Sequence, residues 1–308
     1  MEKELKKFLI SSAIVLLIVI ALDFALGKTM NAMMPNTTNR DAIGKTYFSL
    51  NEVSTPIVIT GSSRAAHHYV TTTIEEKFNL PAFNVAVDGC LFSYNYCVIN
   101  SILDRYSPEI IIWECDCNSL YEAVEDPFES LYPYYKQNVH ATNIIKSENK
   151  FSDIFKLNSN LYKYNSIAHK ILMMNVLKNS FQDKNIKGYS PLKPRINSAM
   201  KLEENSERDN LKLSPSKIKF FENTLEKAKN KGIKVIVADS PKYMLLPSDN
   251  QSSDMMKELC DKYGMTFINN TQLPQFLEHP EYFNDRTHLN DNGAKAYTDI
   301  FVSQIINN

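Results

Sequence analysis

Glycine is scarce in this sequence, with 8 residues in a chain of 308, about a third of the usual share of roughly 7%. Neither G-x-G-x-x-G nor G-x-x-x-x-G-K-[ST] occurs, so both common phosphate-cradling loops are absent. The chain also lacks an excess of one charge, with 34 Lys and Arg against 35 Asp and Glu, whereas proteins that bind duplex nucleic acid carry clustered cations. We expect no cofactor and no nucleic-acid partner.

Metal-binding patterns are also missing. The chain has five cysteines, at positions Cys90, Cys97, Cys115, Cys117 and Cys260. They form no C-x-x-C pair and no zinc-binding spacing, and because their number is odd, at least one is not in a disulfide. His67 and His68 are adjacent, but neighbouring side chains on a helix diverge by about 100° and rarely ligate one ion together. We expect no metal site and interpret both histidines as helix-surface residues, with a position facing the cleft as the alternative for one of them.

One long apolar run stands at the N-terminus. Residues 8–26 are apolar except for Ser11, Ser12 and Asp23, and Lys3, Lys6 and Lys7 precede them. As a helix, this run is about 28 Å long, close to the hydrocarbon thickness of a bilayer. The lysines favour a cytoplasmic tail at 1–7 and an exported remainder. The alternative is a signal peptide cleaved near Ala25-Leu26-Gly27.

Beyond a polar stalk at 27–50, short β-branched runs alternate with helix-like stretches. The runs are 57–60, 83–87, 110–115, 234–238 and 266–268, and the helical patterns cover 64–78, 92–106, 216–231 and 252–263. Continuous apolar runs are typical of strands buried on both faces of a parallel sheet. We predict an α/β sandwich over 51–308.

An insertion at 119–215 interrupts this alternation. A structureless loop of this length is uncommon inside a compact domain. Its first part is rich in aromatic residues, among them Tyr134, Tyr135 and Tyr164. Such side chains can stack on sugars or can pack a small core of their own, and the sequence leaves both interpretations open.

Two polar segments lie where chemistry is expected. Gly61-Ser62-Ser63-Arg64 follows the first strand, at the sheet edge where α/β proteins place their sites. Asp285 stands three residues before His288, a spacing that lets a carboxylate reach and orient an imidazole. Taken singly, the first segment is better explained by a helix cap and the second by a turn with a surface histidine.

Together these segments resemble the SGNH (GDSL-like) hydrolase superfamily, whose first block corresponds to Gly61-Ser62-Ser63-Arg64 and whose last corresponds to Asp285-Arg286-Thr287-His288. The resemblance implies Ser63 as nucleophile, His288 as general base and acid, and Asp285 as the orienting carboxylate. It also implies a flavodoxin-like three-layer fold with strand order 2-1-3-4-5. An α/β-hydrolase fits less well, because Ala65 replaces the second glycine of G-x-S-x-G.

The middle blocks of the superfamily supply an oxyanion hole. The resemblance implies three donors, namely the backbone amides of Ser63 and Gly89 and the side-chain amide of Asn118. Asp116-Cys117-Asn118-Ser119 keeps the asparagine of the third block but lacks its flanking Gly and Asp.

An anchored, exported chain with these motifs looks like the membrane-tethered SGNH proteins that act on cell-envelope polymers. The likeness implies a serine esterase or O-acyltransferase acting on acyl groups, chiefly acetyl, of an exported glycan or small ester, with a membrane-bound acyltransferase as a partner. The alternative is a catalytically inactive anchored protein that binds a glycan or an envelope complex through its Tyr-rich insertion.

Overall fold

The computed structural model describes residues 2–38, 41–148, 151–177, 185–194, 201–203, 211–247 and 249–307, without the side chains of residues 151 and 153. The chain divides into two compact units. The first comprises Met1–Tyr47 and Glu129–Gln182, and the second comprises Phe48–Phe128 and Asp183–Asn308. Neither unit is continuous in sequence.

A five-stranded parallel sheet forms the centre of the second unit. Its strands are β1 (Ile57–Thr60), β2 (Ala82–Asn84), β3 (Ile110–Glu114), β4 (Lys234–Asp239) and β5 (Thr266–Asn269), in the order β2-β1-β3-β4-β5. Every pairing is parallel, with Ile59 opposite Ile112 and Ile112 opposite Ile236. All residues of β1 and β3 are buried, because helices cover both faces of the sheet.

Alternate strand residues enter two separate cores. On one face, Ile57, Ile59 and Ile112 pack with Phe301 of α12 (Asp291–Ile306). On the other face, Trp113 packs with Phe221 of α9 (Pro215–Asn230). Further helices of this unit are α3 (Ser63–His68), α4 (Thr71–Phe78), α5 (Phe92–Arg105), α10 (Gln251–Tyr263) and α11 (Pro274–Leu277). The predicted flavodoxin-like three-layer fold with a parallel sheet is confirmed.

The predicted helix 64–78 is divided into α3 and α4. Thr298 of α12 contributes to the break, because its Oγ1 accepts a hydrogen bond from Val70 N at 2.9 Å. The single proton of this hydroxyl has two carbonyl oxygens within reach, that of Ala294 at 2.7 Å and that of His68 at 3.1 Å. Tyr69, between the two helices, is fully buried in the core.

The first unit is helical. Its α-helices are α1 (Glu2–Met33), α6 (Val139–Glu148), α7 (Phe151–Lys156) and α8 (Ala168–Val176). Its 3-10 helices are Met34–Thr37, Glu129–Tyr134 and Tyr162–Tyr164. Helix α2 (Ala42–Asn51) begins in the first unit and ends in the second, because the sequence boundary between them follows Tyr47. The segment expected as a stalk is therefore mostly helical. Helix α1 is long and apolar enough to cross a membrane.

The predicted insertion contributes to both units. Near its ends, Tyr121 and Leu213 form an antiparallel bridge in the second unit. Its central part belongs to the first unit, where Tyr134, Tyr135 and Tyr164 are at most 7% exposed. These tyrosines pack the core of that unit, and their rings are not free to stack on a sugar.

Candidate active site

Ser63 is the first residue of α3, directly after the turn that leaves β1. Gly61 makes this turn with a φ of +153°, which favours glycine. A Cβ on Gly61 would lie 2.6 Å from the Cβ of Ala65 and 2.8 Å from the carbonyl oxygen of Glu114. The close approach of α3 to β3 thus requires glycine and fixes the serine at the carboxyl edge of the sheet.

His288 bridges Ser63 and Asp285. The Ser63 Oγ lies 2.7 Å from the His288 Nε2, and the His288 Nδ1 lies 2.9 Å from the Asp285 Oδ2. An ionised carboxylate only accepts hydrogen bonds, so Nδ1 carries the proton and Nε2 is free to accept from the serine hydroxyl. A hydroxyl held in this way can lose its proton to the imidazole as it attacks an electrophile.

Asp285 is fixed by its own turn. Its Oδ1 accepts from Thr287 N at 2.8 Å and from His288 N at 3.0 Å. Partial burial alone would raise the pKa of Asp285, but these bonds and the neighbouring His288 lower it below its ordinary value. The carboxylate therefore stays ionised and keeps the imidazole in one tautomer.

His67 and His68 are buried, at 7% and 0% exposure, so the expectation of two surface residues is wrong. The His68 Nε2 accepts from the backbone N–H of Leu289 at 2.9 Å, next to His288, and its Nδ1 bonds the Ser240 Oγ at 2.7 Å. Burial, then repulsion from Arg64, lowers the pKa of His68 well below its ordinary value. A neutral His68 thus holds the backbone that carries His288.

Beneath Ser63 lies a charge cluster that the sequence motifs did not reveal, formed by Arg64, Glu114, Asp116, Asp239 and Lys242. Arg64 Nη1 lies 3.0 Å from Glu114 Oε1 and also bonds Asp239, while Nη2 lies 3.1 Å from Asp116 Oδ2. Lys242 Nζ lies 2.7 Å from the same Asp116 oxygen. The guanidinium adjoining Ser63 in sequence thus connects the ends of β3 and β4.

The pKa values of two carboxyl groups in this charge cluster shift in opposite directions. Burial raises the pKa of Glu114, against the attraction of Arg64. Burial would also raise the pKa of Asp116, but Lys242 and Arg64 together hold it well below its ordinary value. Tyr69 donates a hydrogen bond to Glu114, which gives this buried carboxyl group a further partner.

A cavity of about 170 Å³ opens at Ser63 and His288. Its apolar wall consists of Leu91, Phe92 and Trp113, and its polar lining includes Ser62, Asn95, Asp116, Ser119 and Thr287. Asn95 is already committed, because its carboxamide bonds the Thr60 hydroxyl and the carbonyls of Cys90 and Leu91.

The structure does not place Gly89 or the Asn118 side chain in this lining. Asn118 Oδ1 instead accepts from Asn250 Nδ2 at 3.2 Å. Gly89 is exposed, with a φ of +73°. Their roles as oxyanion donors stay predictions. The amide of Ser63 begins α3, where a helix leaves its first N–H groups without intrahelical acceptors.

A second, larger cavity of about 470 Å³ lies beyond the 116–119 segment, where Cys117 contributes to its wall. None of the described residues that line this cavity is Lys or Arg. Its polar side chains are amides, hydroxyls and one carboxylate, from Asn250, Ser253, Asp254, Asn269, Thr271 and Gln272. This lining suits a neutral, hydroxyl-rich ligand better than an anion.

Within the described ranges, no group of three or more His, Cys, Asp and Glu side chains is arranged to hold a metal ion. All five cysteines are buried, and none of them forms a disulfide bond.

Comparisons with known proteins leave the family open. No protein-family model matches the sequence, and no curated protein matches it. Among solved structures, the crystal structure of TesA aligns with 79% of this chain and 93% of its own, at 9% sequence identity and a TM-score of 0.38. Similarity at this level assigns neither a family nor an activity.

Proposed function

We propose that this chain is a membrane-anchored SGNH-type serine enzyme that hydrolyses or transfers acyl groups, chiefly acetyl, of an exported cell-envelope glycan. The observation that carries the proposal is the hydrogen-bonded series from the Ser63 hydroxyl through His288 to Asp285, with distances of 2.7 and 2.9 Å. We assign Ser63 as nucleophile, His288 as general base and acid, and Asp285 as the orienting carboxylate.

The reaction has two halves. In the first, the Ser63 Oγ bonds to the ester carbonyl carbon while His288 Nε2 takes the hydroxyl proton, and the tetrahedral intermediate then expels the alcohol, which receives that proton. In the second, water or a sugar hydroxyl gives its proton to His288 and attacks the acyl carbon. The resulting tetrahedral intermediate breaks its bond to the Ser63 Oγ, which takes the proton back from His288. Water yields a free acid, and a sugar yields a new ester.

The cavity dimensions support a short acyl group. The cavity beside Ser63 measures about 170 Å³, below the roughly 300–1,000 Å³ of sites that enclose drug-sized ligands. Fully buried Trp113, with its ring centroid 5.7 Å from that of Phe92, supports the apolar wall. A long acyl chain would have to displace these aromatic side chains.

The second cavity supports a carbohydrate as the alcohol portion. Its amide and hydroxyl lining and its volume of about 470 Å³ suit sugar hydroxyls. Helix α1 has the length and hydropathy to hold the chain in a membrane. Lys3, Lys6 and Lys7, which precede its apolar run, favour a cytoplasmic N-terminus and a second unit outside the cytoplasm. A membrane-bound acyltransferase would then be the partner that supplies acyl groups.

Fluorophosphonate labelling tests the proposal on the full chain in detergent. We expect wild type to be labelled, Ser63→Ala and His288→Ala to lose labelling, and Ser62→Ala, the matched neighbouring serine, to keep it. Trp113 is the only tryptophan and lies buried in the second unit, so its fluorescence verifies that each variant is folded. If folded wild type reacts neither with the probe nor with a small acetyl ester, the inactive glycan-binding alternative replaces the enzyme.

A further inference from the structure

One face of the end of α1 is buried in the first unit. Asp23, Gly27, Met30 and Met34 follow each other at spacings of four, three and four residues, and the last three are buried. A Cβ on Gly27 would lie 2.4 Å from the Cβ of Asn160, so glycine permits this contact. The helix that would cross the membrane is therefore also part of a folded unit.

Asp23 attaches the segment 159–161 to α1. Its Oδ2 accepts from Asn160 N at 2.8 Å, its Oδ1 accepts from Leu161 N at 3.1 Å, and the Ser159 hydroxyl donates a third bond. Both carboxylate oxygens are thus occupied. The bonds fix segment 159–161 at the same height along α1 as Asp23.

That height coincides with the edge of the apolar surface. Phe24 and Leu26 are 58% and 44% exposed and end the apolar run of α1. Asp23 lies three residues below Leu26, which is about 4.5 Å along a helix axis. If α1 spans the membrane as proposed, segment 159–161 lies at the boundary between hydrocarbon and headgroups.

Just above that boundary is a small polar cavity between α1 and the insertion. It has a volume of about 160 Å³ and is lined by Phe24, Gly27, Lys28, Asn31, Gln137, Asn160, Lys163 and Tyr164. Residues 24–31 of α1 extend from about 3 Å below Leu26 to about 7.5 Å above it. The headgroup layer of a bilayer is about 5–7 Å thick on each side, so the cavity lies within it.

The lining of this cavity carries positive charge. Lys28 and Lys163 supply two ammonium groups, and Asn31 and Gln137 supply amides, while the Asn160 amide is already bonded to Asp23, which lies outside the lining. Burial, then repulsion from Lys136, lowers the pKa of Lys163, and the Asp23 carboxylate acts in the opposite direction. Lys28 Nζ lies 5.9 Å from the centroid of the Phe24 ring, with its stem along the apolar side chain.

From this coincidence of depth and charge, we propose that the cavity binds the phosphate of an anionic phospholipid headgroup in the membrane that α1 spans. Lys28 and Lys163 neutralise the phosphate, and the amides of Asn31 and Gln137 bond its oxygens. Phe155 and Tyr162, 68% and 36% exposed in the adjoining segment, fit the same interface, where aromatic side chains are enriched. The assignment rests on the membrane span and is independent of Ser63.

Lipid retention by the full chain tests the proposal. Purified protein is exchanged into mixed detergent micelles of phosphatidylglycerol and phosphatidylcholine, and bound lipid is counted by native mass spectrometry. Wild type should retain phosphatidylglycerol selectively. Lys28→Gln with Lys163→Gln should bind it about 30-fold more weakly, the effect of removing two lysine–headgroup interactions. Lys28→Arg with Lys163→Arg should retain it, because both charges remain.

Lys146→Gln with Lys170→Gln removes two exposed lysines of the same unit and should leave retention unchanged. Equal retention by wild type and the Lys28/Lys163 glutamine variant would overturn the site. Displacement of the lipid by inorganic phosphate at constant ionic strength would overturn the lipid assignment in favour of free phosphate. Loss of retention in the arginine variant would show that two positive charges at these positions do not suffice for lipid binding, and it would overturn the assignment by charge.

Discussion

Replacing Arg64 with Met removes the cation that joins Glu114, Asp116 and Asp239 and leaves Lys242 as their remaining cation within the cluster. The Arg64 side chain is only 10% exposed, so water cannot take its place freely. Breaking a buried ion pair by removing one partner costs about 3–5 kcal/mol of unfolding free energy. We expect a loss of that size in the second unit.

Urea denaturation followed by Trp113 fluorescence measures this loss in the unit concerned. With a slope of about 2–3 kcal/mol per M, the expected cost of about 3–5 kcal/mol lowers the urea midpoint by about 1–2.5 M. Arg64→Lys should lose less unfolding free energy than Arg64→Met, because it keeps the positive charge but lacks the planar guanidinium that reaches three carboxylates. Arg286→Met, which breaks an exposed ion pair with Glu203, is the matched control and should leave the midpoint unchanged.

A double variant separates charge from packing. Arg64→Met combined with Glu114→Gln removes one of the carboxylates left unpaired, so its midpoint should lie above that of Arg64→Met alone. A midpoint for Arg64→Met within about 0.3 M of wild type, roughly one eighth to one third of the expected shift, would show that the three carboxylates do not depend on the Arg64 cation.

Three further predictions concern the site. Asp285→Asn should lower the labelling rate of Ser63 about 10³- to 10⁴-fold with an unchanged urea midpoint, because the amide favours the wrong His288 tautomer; a loss below tenfold would contradict this. Gly61→Ala should destabilise the second unit by more than Gly89→Ala, since both have positive φ but only Gly61 lacks room for a Cβ; equal midpoints would contradict it. Folding lowers the pKa of His68, so its contribution to stability is complete above about pH 6.5 and is lost as the pH falls towards the folded pKa. The midpoint should therefore drop less between pH 7.5 and 5.5 in His68→Gln than in wild type, whereas exposed His169→Gln should follow wild type.

The sheet was predictable because its signal is local. Runs such as 57–60 and 110–115 are continuous and apolar, and β1 and β3 lie within a residue of those bounds. The Ser63 and Asp285 side chains each lie within hydrogen-bonding distance of the His288 ring, and the catalytic roles of all three stay predictions. The break between α3 and α4 was not predictable, because Thr298, which contributes to it, lies more than two hundred residues away.

The charge cluster was hidden for the same reason. Arg64 reads as an ordinary residue of a helix start, and Asp239 lies 175 residues from it in sequence. A weak signal existed, because Glu114, Asp116 and Asp239 each stand at the end of a buried apolar strand, where an unpaired carboxylate would be costly. The spacing of these carboxylates in the sequence does not identify the cations that pair with them. The predicted roles of Gly89 and Asn118 as oxyanion donors rest on the superfamily resemblance alone.

The contact between Asp23 and the segment 159–161 also affects the order of synthesis. Ser159 lies 136 residues after Asp23, and a ribosome adding about 5–20 residues per second takes about 7–27 s to reach it. If α1 spans the membrane as proposed, it enters the bilayer during that interval while the Asp23 carboxylate still lacks Ser159 and the two backbone amides. Insertion of the helix must therefore tolerate a temporarily unsatisfied acid. Completion of the first unit waits until strands β1 to β3, which belong to the other unit, have left the ribosome.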